Sequence, residues 1–459
     1  MTTLARVVAT RGERLLLAAL AFLPLAVYLA ARFLGLMKFL RLGAAAVAAA
    51  ALAMTVFVRP RWGLFFLVFY IYSGISSMLP VNVALPVTFI VFAAVVLDLV
   101  RGGRNRLVEG SFWYANAFFL LFALQSMLVA RDPMLSLLEL SNYAKMLIVV
   151  YLIVHLIRTA DDLRHLAYAV FVGAVATLLF GLMALSLGIG PGQENYIGGV
   201  YILRFTGAHE NPNRAAAFMC SALPLGLFGA RTSRHPWLRI GFVIGVVALI
   251  VGIFSTFSRS VVVPFAAITL AVLIREVRSR RSYALLILLT AVGILLTPRY
   301  YWDRVLALQD VFSGSARDWS VYTRWLAMTT AWDLFLRHPF TGVGLDNFIV
   351  AGAHRVFVRI VAHNTYLEIL VGTGLFGLLT YLWMLWAGIR AAVTGARRRW
   401  VSQPDWVRSL CFYVSLSGVS IGLSALFGTI PFVYPVWIPV AAGLVIGNLL
   451  RRDGAEAAV

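Results

Sequence analysis

The chain carries little charge for its length, which argues against a soluble fold. Only 13% of its 459 residues are charged, whereas about a quarter of a typical soluble domain is. Hydrophobic residues make up 61%, and apolar runs of about 16–25 residues recur along the whole sequence. The alternating segments of transmembrane β-barrels are absent. We therefore predict an all-α, polytopic integral membrane protein built as a helical bundle.

Cysteines and the common catalytic motifs are also scarce. Cys220 and Cys411 both fall inside predicted spans, which leaves no disulfide framework. The sequence has no Asp-x-Asp pair, no His-x-x-x-His pattern, no Gly-x-x-x-x-Gly-Lys-Ser/Thr loop and no Gly-x-Ser-x-Gly elbow. We therefore expect no metal, no cofactor and no ATP-driven work.

The net charge of +20 would suggest a nucleic-acid partner in a soluble protein. Here most of the 39 Lys and Arg residues lie in short gaps between apolar runs, so membrane topology explains them and no nucleic acid is expected. Placing both termini in the cytoplasm leaves the short outer gaps 79–83 and 429–433 without cations. We predict about 12–14 spans. They are residues 15–31, 42–58, 62–78, 84–100, 113–130, 143–157, 164–188, 213–230, 239–256, 260–274, 282–297, 365–390, 408–428 and 434–450.

Two outer segments, 189–212 and 298–364, are long. Within the second, apolar residues at 3-4-3 spacing predict an amphipathic helix that begins after Asp318 and stops before Pro339. Such a helix lies on the bilayer surface, roofs a cavity between spans, or simply packs as a lid. The spaced residues are Trp325, Met328, Trp332 and Phe335.

The first outer segment ends in a polar motif. Asn211-Pro212-Asn213 is a turn and cap signature, in which Asn211 starts the turn and Asn213 can cap the next helix. Arg204 lies before it in a mostly neutral stretch. This arginine either snorkels to lipid phosphates or holds a substrate phosphate with its planar fork.

Further candidates lie in other outer loops. Ser258-Arg259-Ser260 interrupts an apolar run and predicts a tight outer turn, where the single charge of Arg259 either snorkels or meets an anion. Among the arginines of the long segment, we expect Arg324 to reach a buried site. His363 precedes a span, and Asn364 beside it can cap that helix. One histidine with two or more arginines suffices for glycosyl transfer without a metal, because arginine stabilises a diphosphate leaving group and imidazole accepts a proton.

Four motifs follow one another between about residues 200 and 380. They are Arg204-x-x-Gly207 with Asn211-Pro212-Asn213; Ser258-Arg259-Ser260; Arg324 followed by His338-Pro339-x-x-Gly342-x-Gly344-x-x-Asn347; and His363-Asn364, nine residues, then Gly374. In this order they resemble the O-antigen ligase and O-antigen polymerase superfamily of bacterial envelope glycosyltransferases.

The resemblance implies a GT-C-like enzyme of the bacterial inner membrane, with its active site facing the periplasm. It implies an undecaprenyl-diphosphate-linked glycan donor and inverting, metal-independent transfer. His363 is then the base, Arg204 and Arg259 bind the diphosphate with Arg324 as a further candidate, and Asn211, Asn213 and Asn364 support them. Residues 1–188 and 391–459 are expected to be flanking transmembrane helices around a catalytic region at 189–390.

The acceptor remains open within this resemblance. A ligase attaches the glycan to the lipid A core, which we favour, whereas a polymerase extends one lipid-linked glycan with another. A transporter or flippase of lipid-linked glycans is the alternative of another class, although its ionisable residues should lie near the bilayer midplane. A structural scaffold in an envelope complex is a third possibility.

Overall fold

A computed structural model describes residues 53, 56–78, 83–102, 110–186, 193–197, 200–207, 209, 211–276, 319–352 and 361–456. The predicted spans 15–31 and 282–297, most of 42–58, and the predicted cap Asp318 lie outside these residues. The chain divides into two compact units, Met1–Val68 with Val81–Asn105, and Phe69–Pro80 with Arg106–Val459. The candidate residues all belong to the second unit.

Helices dominate the described residues. In chain order they are α1 (Pro60–Ser73), α2 (Ala84–Val100), α3 (Ser111–Met127), α4 (Pro133–Leu156), α5 (Ala160–Ser186), α6 (Pro212–Thr232), α7 (Pro236–Ser255), α8 (Val262–Glu276), α9 (Trp319–Arg337), α10 (Phe348–Ala351), α11 (Thr365–Arg397), α12 (Trp406–Ser424) and α13 (Tyr434–Glu456). Short 3₁₀ turns follow α1, α7 and α12, at Ile75–Met78, Arg259–Val261 and Ala425–Phe427.

Within the described residues, seven helices are long and apolar enough to cross a membrane: α4, α5, α6, α7, α11, α12 and α13. The predicted polytopic helical membrane protein is thus confirmed. The start of α4 differs most from the sequence prediction, since it begins at Pro133 rather than near 143. Asp132 caps it, accepting hydrogen bonds from the N–H groups of Met134 at 3.0 Å and Leu135 at 3.4 Å. Polar residues such as Glu139 lower the hydropathy of its first turns, so the apolar run marks only the later part of the helix.

A short antiparallel hairpin departs from the all-α prediction. Strand β1 (Gln193–Ile197) pairs with β2 (Val200–Arg204), and Gln193 lies opposite Arg204. The sequence carries the signal for it: strand-forming residues flank a Gly-Gly pair, which is typical of a two-residue hairpin turn. The hairpin matters for function because it ends at Arg204.

Contacts between helices bring the outer motifs to one end of the second unit. The Ser258 hydroxyl donates to Asn213 Oδ1 at 2.7 Å, so the α7–α8 turn lies beside the start of α6. Helix α12 runs antiparallel to α6, since Ser420 contacts Cys220 at 3.4 Å and Trp406 contacts Phe228 with ring centroids 6.3 Å apart.

The start of α11 is tied to the end of α12. Thr365 Oγ1 donates to the Gly428 carbonyl at 2.5 Å and accepts from the Ile430 N–H at 2.9 Å. Because α12 ends where α6 begins, the start of α11 lies at the same end of the unit as the start of α6 and the α7–α8 turn.

Helix α11 is broken at Gly374, whose φ is 76° and ψ −176°. The residues after α9 fill the break. Val343 N–H donates to the Val371 carbonyl at 2.9 Å, and Leu375 N–H donates to the Pro339 carbonyl at 2.8 Å. Backbone groups freed from a membrane helix must find such partners. The His338-Pro339-x-x-Gly342-x-Gly344 motif therefore has a structural explanation: it restores the hydrogen bonds of a broken helix.

The predicted amphipathic helix exists as α9. It packs against the protein as a lid would, but through its small residues and not through the aromatic stripe. Its small face, Ala327, Thr330 and Ala331, is buried, and the two alanines pack in one cluster with Val371 of α11. The aromatic stripe faces outward, with Trp325 54% and Trp332 52% exposed, while Phe335 packs inward. The helix covers the start of α11 through its small residues and leaves its aromatic residues on the surface.

Candidate active site

Arg204 lies at the end of β2 and is buried, with 5% of its surface exposed. Its Nε donates to the Thr256 carbonyl at 2.9 Å, and its Nη2 donates to Asn213 Oδ1 at 3.1 Å. The next residue, Phe205, donates its N–H to the Ser255 carbonyl at 3.1 Å. These bonds dock the hairpin on the α7–α8 turn and fix the plane of the guanidinium group.

Asn213 joins Arg204 to the serine motif. Its Oδ1 accepts from the Ser258 hydroxyl at 2.7 Å as well as from Arg204, and the Ser258 and Ser260 hydroxyl oxygens lie 2.6 Å apart. The prediction that Asn213 caps α6 is wrong. Asn211 is the cap, since it is extended, precedes Pro212, and accepts from Asn213 N–H at 2.9 Å. We call Arg204, Asn213, Ser258 and Ser260 the arginine cluster.

The tight turn predicted around Arg259 is confirmed, while its place on the outer side stays a prediction. Helix α7 ends at Ser255, and Arg259 begins the 3₁₀ turn that leads into α8. Phe257 takes a positive φ of 49°, which is unusual for a residue with a side chain. Arg259 is half-buried and directly follows Ser258, so two of the predicted arginines belong to one neighbourhood.

His363 occupies a second neighbourhood, in the turn before α11. Its φ is 51°, and its side chain is half-buried. Burial, and to a lesser extent the positive charge of Arg324 on α9, lowers the pKa of His363 to about 4. Arg324 therefore lies close enough to His363 for its charge to act on the imidazole. The predicted cap is confirmed: Asn364 Oδ1 accepts from the N–H groups of Tyr366 at 3.0 Å and Leu367 at 3.1 Å.

Three carboxyl groups, those of Asp346, Glu139 and Glu368, lie close enough to influence one another. Burial, followed by the charge of Glu139, raises the pKa of Asp346 to about 6. Glu139 lies on α4, and Glu368 lies in the first turn of α11. Sequence reasoning did not select Glu139 or Glu368. The Asp132-Pro133 start signal would have put Glu139 on a helix at the outer end.

Comparison with known families bears on the class of protein. Residues 244–382 match the O-antigen ligase family model. This part of the chain is similar to O-antigen ligases. The match confirms the superfamily predicted from the sequence, and it supports in general terms a glycosyltransferase-like enzyme with a lipid-linked glycan and an acceptor as substrates. No curated protein sequence matches the chain.

The matched residues include Arg259, Arg324 and His363, whereas Arg204 and Asn213 precede them. The hydrogen bonds from Arg204 and Asn213 to the α7–α8 turn attach this preceding segment to the domain. Among the described residues, no group of three or more His, Cys, Asp or Glu side chains is arranged to hold a metal ion.

His209 lies at the same end of the unit and is engaged in the fold. Its Nε2 is 3.1 Å from the Tyr72 carbonyl, so this nitrogen donates, and its ring lies edge-on to Phe218 with centroids 5.1 Å apart. Burial lowers the pKa of His209 to about 4. A ring held in this way anchors the loop before α6, which leaves His363 as the better candidate for proton transfer.

Proposed function

We propose that the protein is an inverting, metal-independent glycosyltransferase that moves a glycan from undecaprenyl diphosphate to an acceptor hydroxyl. The reaction takes place at the periplasmic face of the bacterial inner membrane. The observation that carries this proposal is the arrangement of the motifs: the arginine cluster, the Arg259 turn and His363 all lie at one end of the same helical unit.

In this proposal, Arg204 and Arg259 bind the diphosphate. Cleavage of the bond to the anomeric carbon leaves negative charge on the departing diphosphate. Guanidinium groups already oriented toward it stabilise that charge without reorganisation. Arg204 is oriented by Thr256 and Asn213, which supports this role, and the planar fork suits phosphate oxygens better than an ammonium group does.

His363 serves as the general base. A pKa of about 4 keeps its imidazole neutral at pH 7, so that it can accept a proton from the attacking hydroxyl. This pKa is lower than the ordinary value of about 6.5 expected from the sequence. Binding of an anionic diphosphate nearby would raise it, because negative charge favours the protonated imidazolium. Donor binding would then strengthen the base when it is needed.

The acceptor we favour is the lipid A core, which makes the protein an O-antigen ligase in lipopolysaccharide maturation. Polymerisation uses the same chemistry with a second lipid-linked glycan as acceptor. The candidate residues lie at helix ends, which suits chemistry at the membrane surface rather than passage through the midplane.

The test is product analysis with purified protein in nanodiscs. The protein is incubated with an undecaprenyl-diphosphate-linked oligosaccharide and either lipid A core or a second portion of the lipid-linked glycan, with chelator present, and products are identified by mass spectrometry. Glycan joined to lipid A core supports the ligase, and glycan joined to glycan supports the polymerase. A parallel assay uses the same protein in vesicles. Movement of the donor between vesicle leaflets, with neither product formed in the nanodiscs, would overturn the proposal in favour of a flippase.

A further inference from the structure

The backbone at His363 is strained. A residue with a side chain seldom takes a φ of 51°, and such a conformation persists only where its surroundings hold it. The residues after His363 are well held, because Asn364 caps α11 and Thr365 bonds to Gly428 and Ile430. The strained conformation therefore also needs an anchor on the preceding side.

Glu368 supplies that anchor. Its Oε2 accepts a hydrogen bond from the Ala362 N–H at 3.0 Å. Both partners are buried, with Glu368 5% and Ala362 0% exposed. The bond runs from the first turn of α11 back across His363 to the residue before it. It closes a loop in which His363 lies between two fixed points, one at Ala362 and one at the Asn364 cap.

The Ala362 side of this loop is also packed. Ala362 belongs to the cluster formed by Ala327 and Ala331 of α9 with Val371 of α11. Removing the Glu368 acceptor would leave a buried N–H without that partner, which is costly in an apolar environment. The turn would then relax toward an unstrained φ, and the imidazole would move with it.

We propose that Glu368 is a positioning residue that holds the His363 turn in its strained, reactive conformation through the Ala362 N–H. This inference rests on the proposed role of His363 as the base. Glu368 acts on the backbone of the turn and takes no proton from the acceptor. Its effect on catalysis should therefore fall on kcat rather than on donor binding.

The experiment compares two substitutions of similar volume. Glu368→Leu removes the acceptor, whereas Glu368→Gln keeps a carbonyl oxygen at the same reach. Thr380→Ala is the matched control, because Thr380 is a buried polar residue of α11 whose hydroxyl bonds only within the helix, to Phe376 and Gly377. Each variant is assayed with the undecaprenyl-diphosphate-linked oligosaccharide and lipid A core, and by hydrogen exchange of residues 361–364.

In Glu368→Leu we expect amide exchange at Ala362 to rise about tenfold or more, and kcat to fall about 10²-fold with donor KM unchanged. Glu368→Gln and Thr380→Ala should stay close to the unsubstituted protein in both measurements. A fast-exchanging Ala362 amide in the unsubstituted protein overturns the inference. So does a Glu368→Gln loss as large as that of Glu368→Leu.

The two readouts separate this inference from the proposed function. If His363→Ala stays active, the base assignment fails, while hydrogen exchange still decides whether Glu368 holds the turn. If His363→Ala is inactive and Glu368→Leu keeps full kcat, the positioning role fails and the base assignment stands.

Discussion

The two halves of the candidate site are held in different ways. The arginine cluster is assembled from three separate segments, since β2, the start of α6 and the α7–α8 turn meet through Arg204, Asn213 and Ser258. The His363 turn is held mainly by its near neighbours in sequence, through the Asn364 cap and the Glu368 bond, in a strained conformation. Substitutions in the cluster should therefore affect folding and donor binding together, whereas substitutions in the turn should affect the chemical step.

The strongest test of this contrast is His363→Ala. If His363 is the base, kcat should fall about 10²–10⁴-fold, because general-base assistance is lost. The melting temperature and donor KM should stay close to those of the unsubstituted protein, since the side chain is half-buried. The measurement is steady-state transfer to lipid A core with purified protein. His338→Ala, a change at an exposed residue just after α9, serves as the control. Substantial activity in His363→Ala would remove this residue from the mechanism.

The next largest effect is expected when lysine replaces one of the two arginines that are proposed to bind the diphosphate. Arg204→Lys keeps the charge but cannot reach both Thr256 and Asn213 with one planar group. Losing a charged hydrogen bond should reduce kcat/KM about tenfold to hundredfold, mainly through donor KM. Melting temperature should fall in Arg204→Lys and stay unchanged in Arg259→Lys, while both variants lose donor binding. Full activity of either lysine variant would contradict bidentate diphosphate binding. Arg337→Lys is the control, because Arg337 pairs with Asp333 on the surface of α9.

A third test targets the break at Gly374 in α11, the helix that follows the His363 turn. Gly342 has a φ of 66°, and a Cβ there would collide with the Gly372 carbonyl. Gly342→Ala should therefore destabilise the protein by about 1–3 kcal/mol, measured as a lower melting temperature. Gly241→Ala is the matched control, since nothing lies within 4 Å of a Cβ at that helical position. Equal melting temperatures in the two variants would show that the break tolerates a side chain.

The same contrast explains what the sequence could predict. Helix α2 has the bounds expected from hydropathy, and the α7–α8 turn and the Asn364 cap follow from local signals. Asn213 was misjudged because its oxygen is used by residues far away in sequence, Arg204 and Ser258. The break in α11 was missed for a similar reason, since its hydrogen-bond partners come from the loop after α9. Caps and turns can be predicted from neighbouring residues in the sequence. Hydrogen bonds between distant segments can be identified only once the fold is known.

The smallest expected effect concerns the charge of Arg324. Burial is the larger cause that lowers the pKa of His363 to about 4, and Arg324 is the smaller one. A base is active when unprotonated, so activity should be constant above this pKa and fall as the pH drops through it. Arg324→Gln removes the nearby positive charge and makes the imidazolium easier to form. The acid limb should then move upward, to a pH between about 4 and the ordinary 6.5.

The profile to measure is kcat/KM against pH, because it reports the free enzyme, before the diphosphate changes the pKa of the base. Arg337→Gln removes one charge from the far end of α9 and should leave the limb in place. If the acid limb of the kcat/KM profile in Arg324→Gln is unchanged, or moves to lower pH, Arg324 does not act on the group whose protonation limits the rate. Arg324 would then have to be reconsidered as a binder of the donor, as the sequence alone suggested.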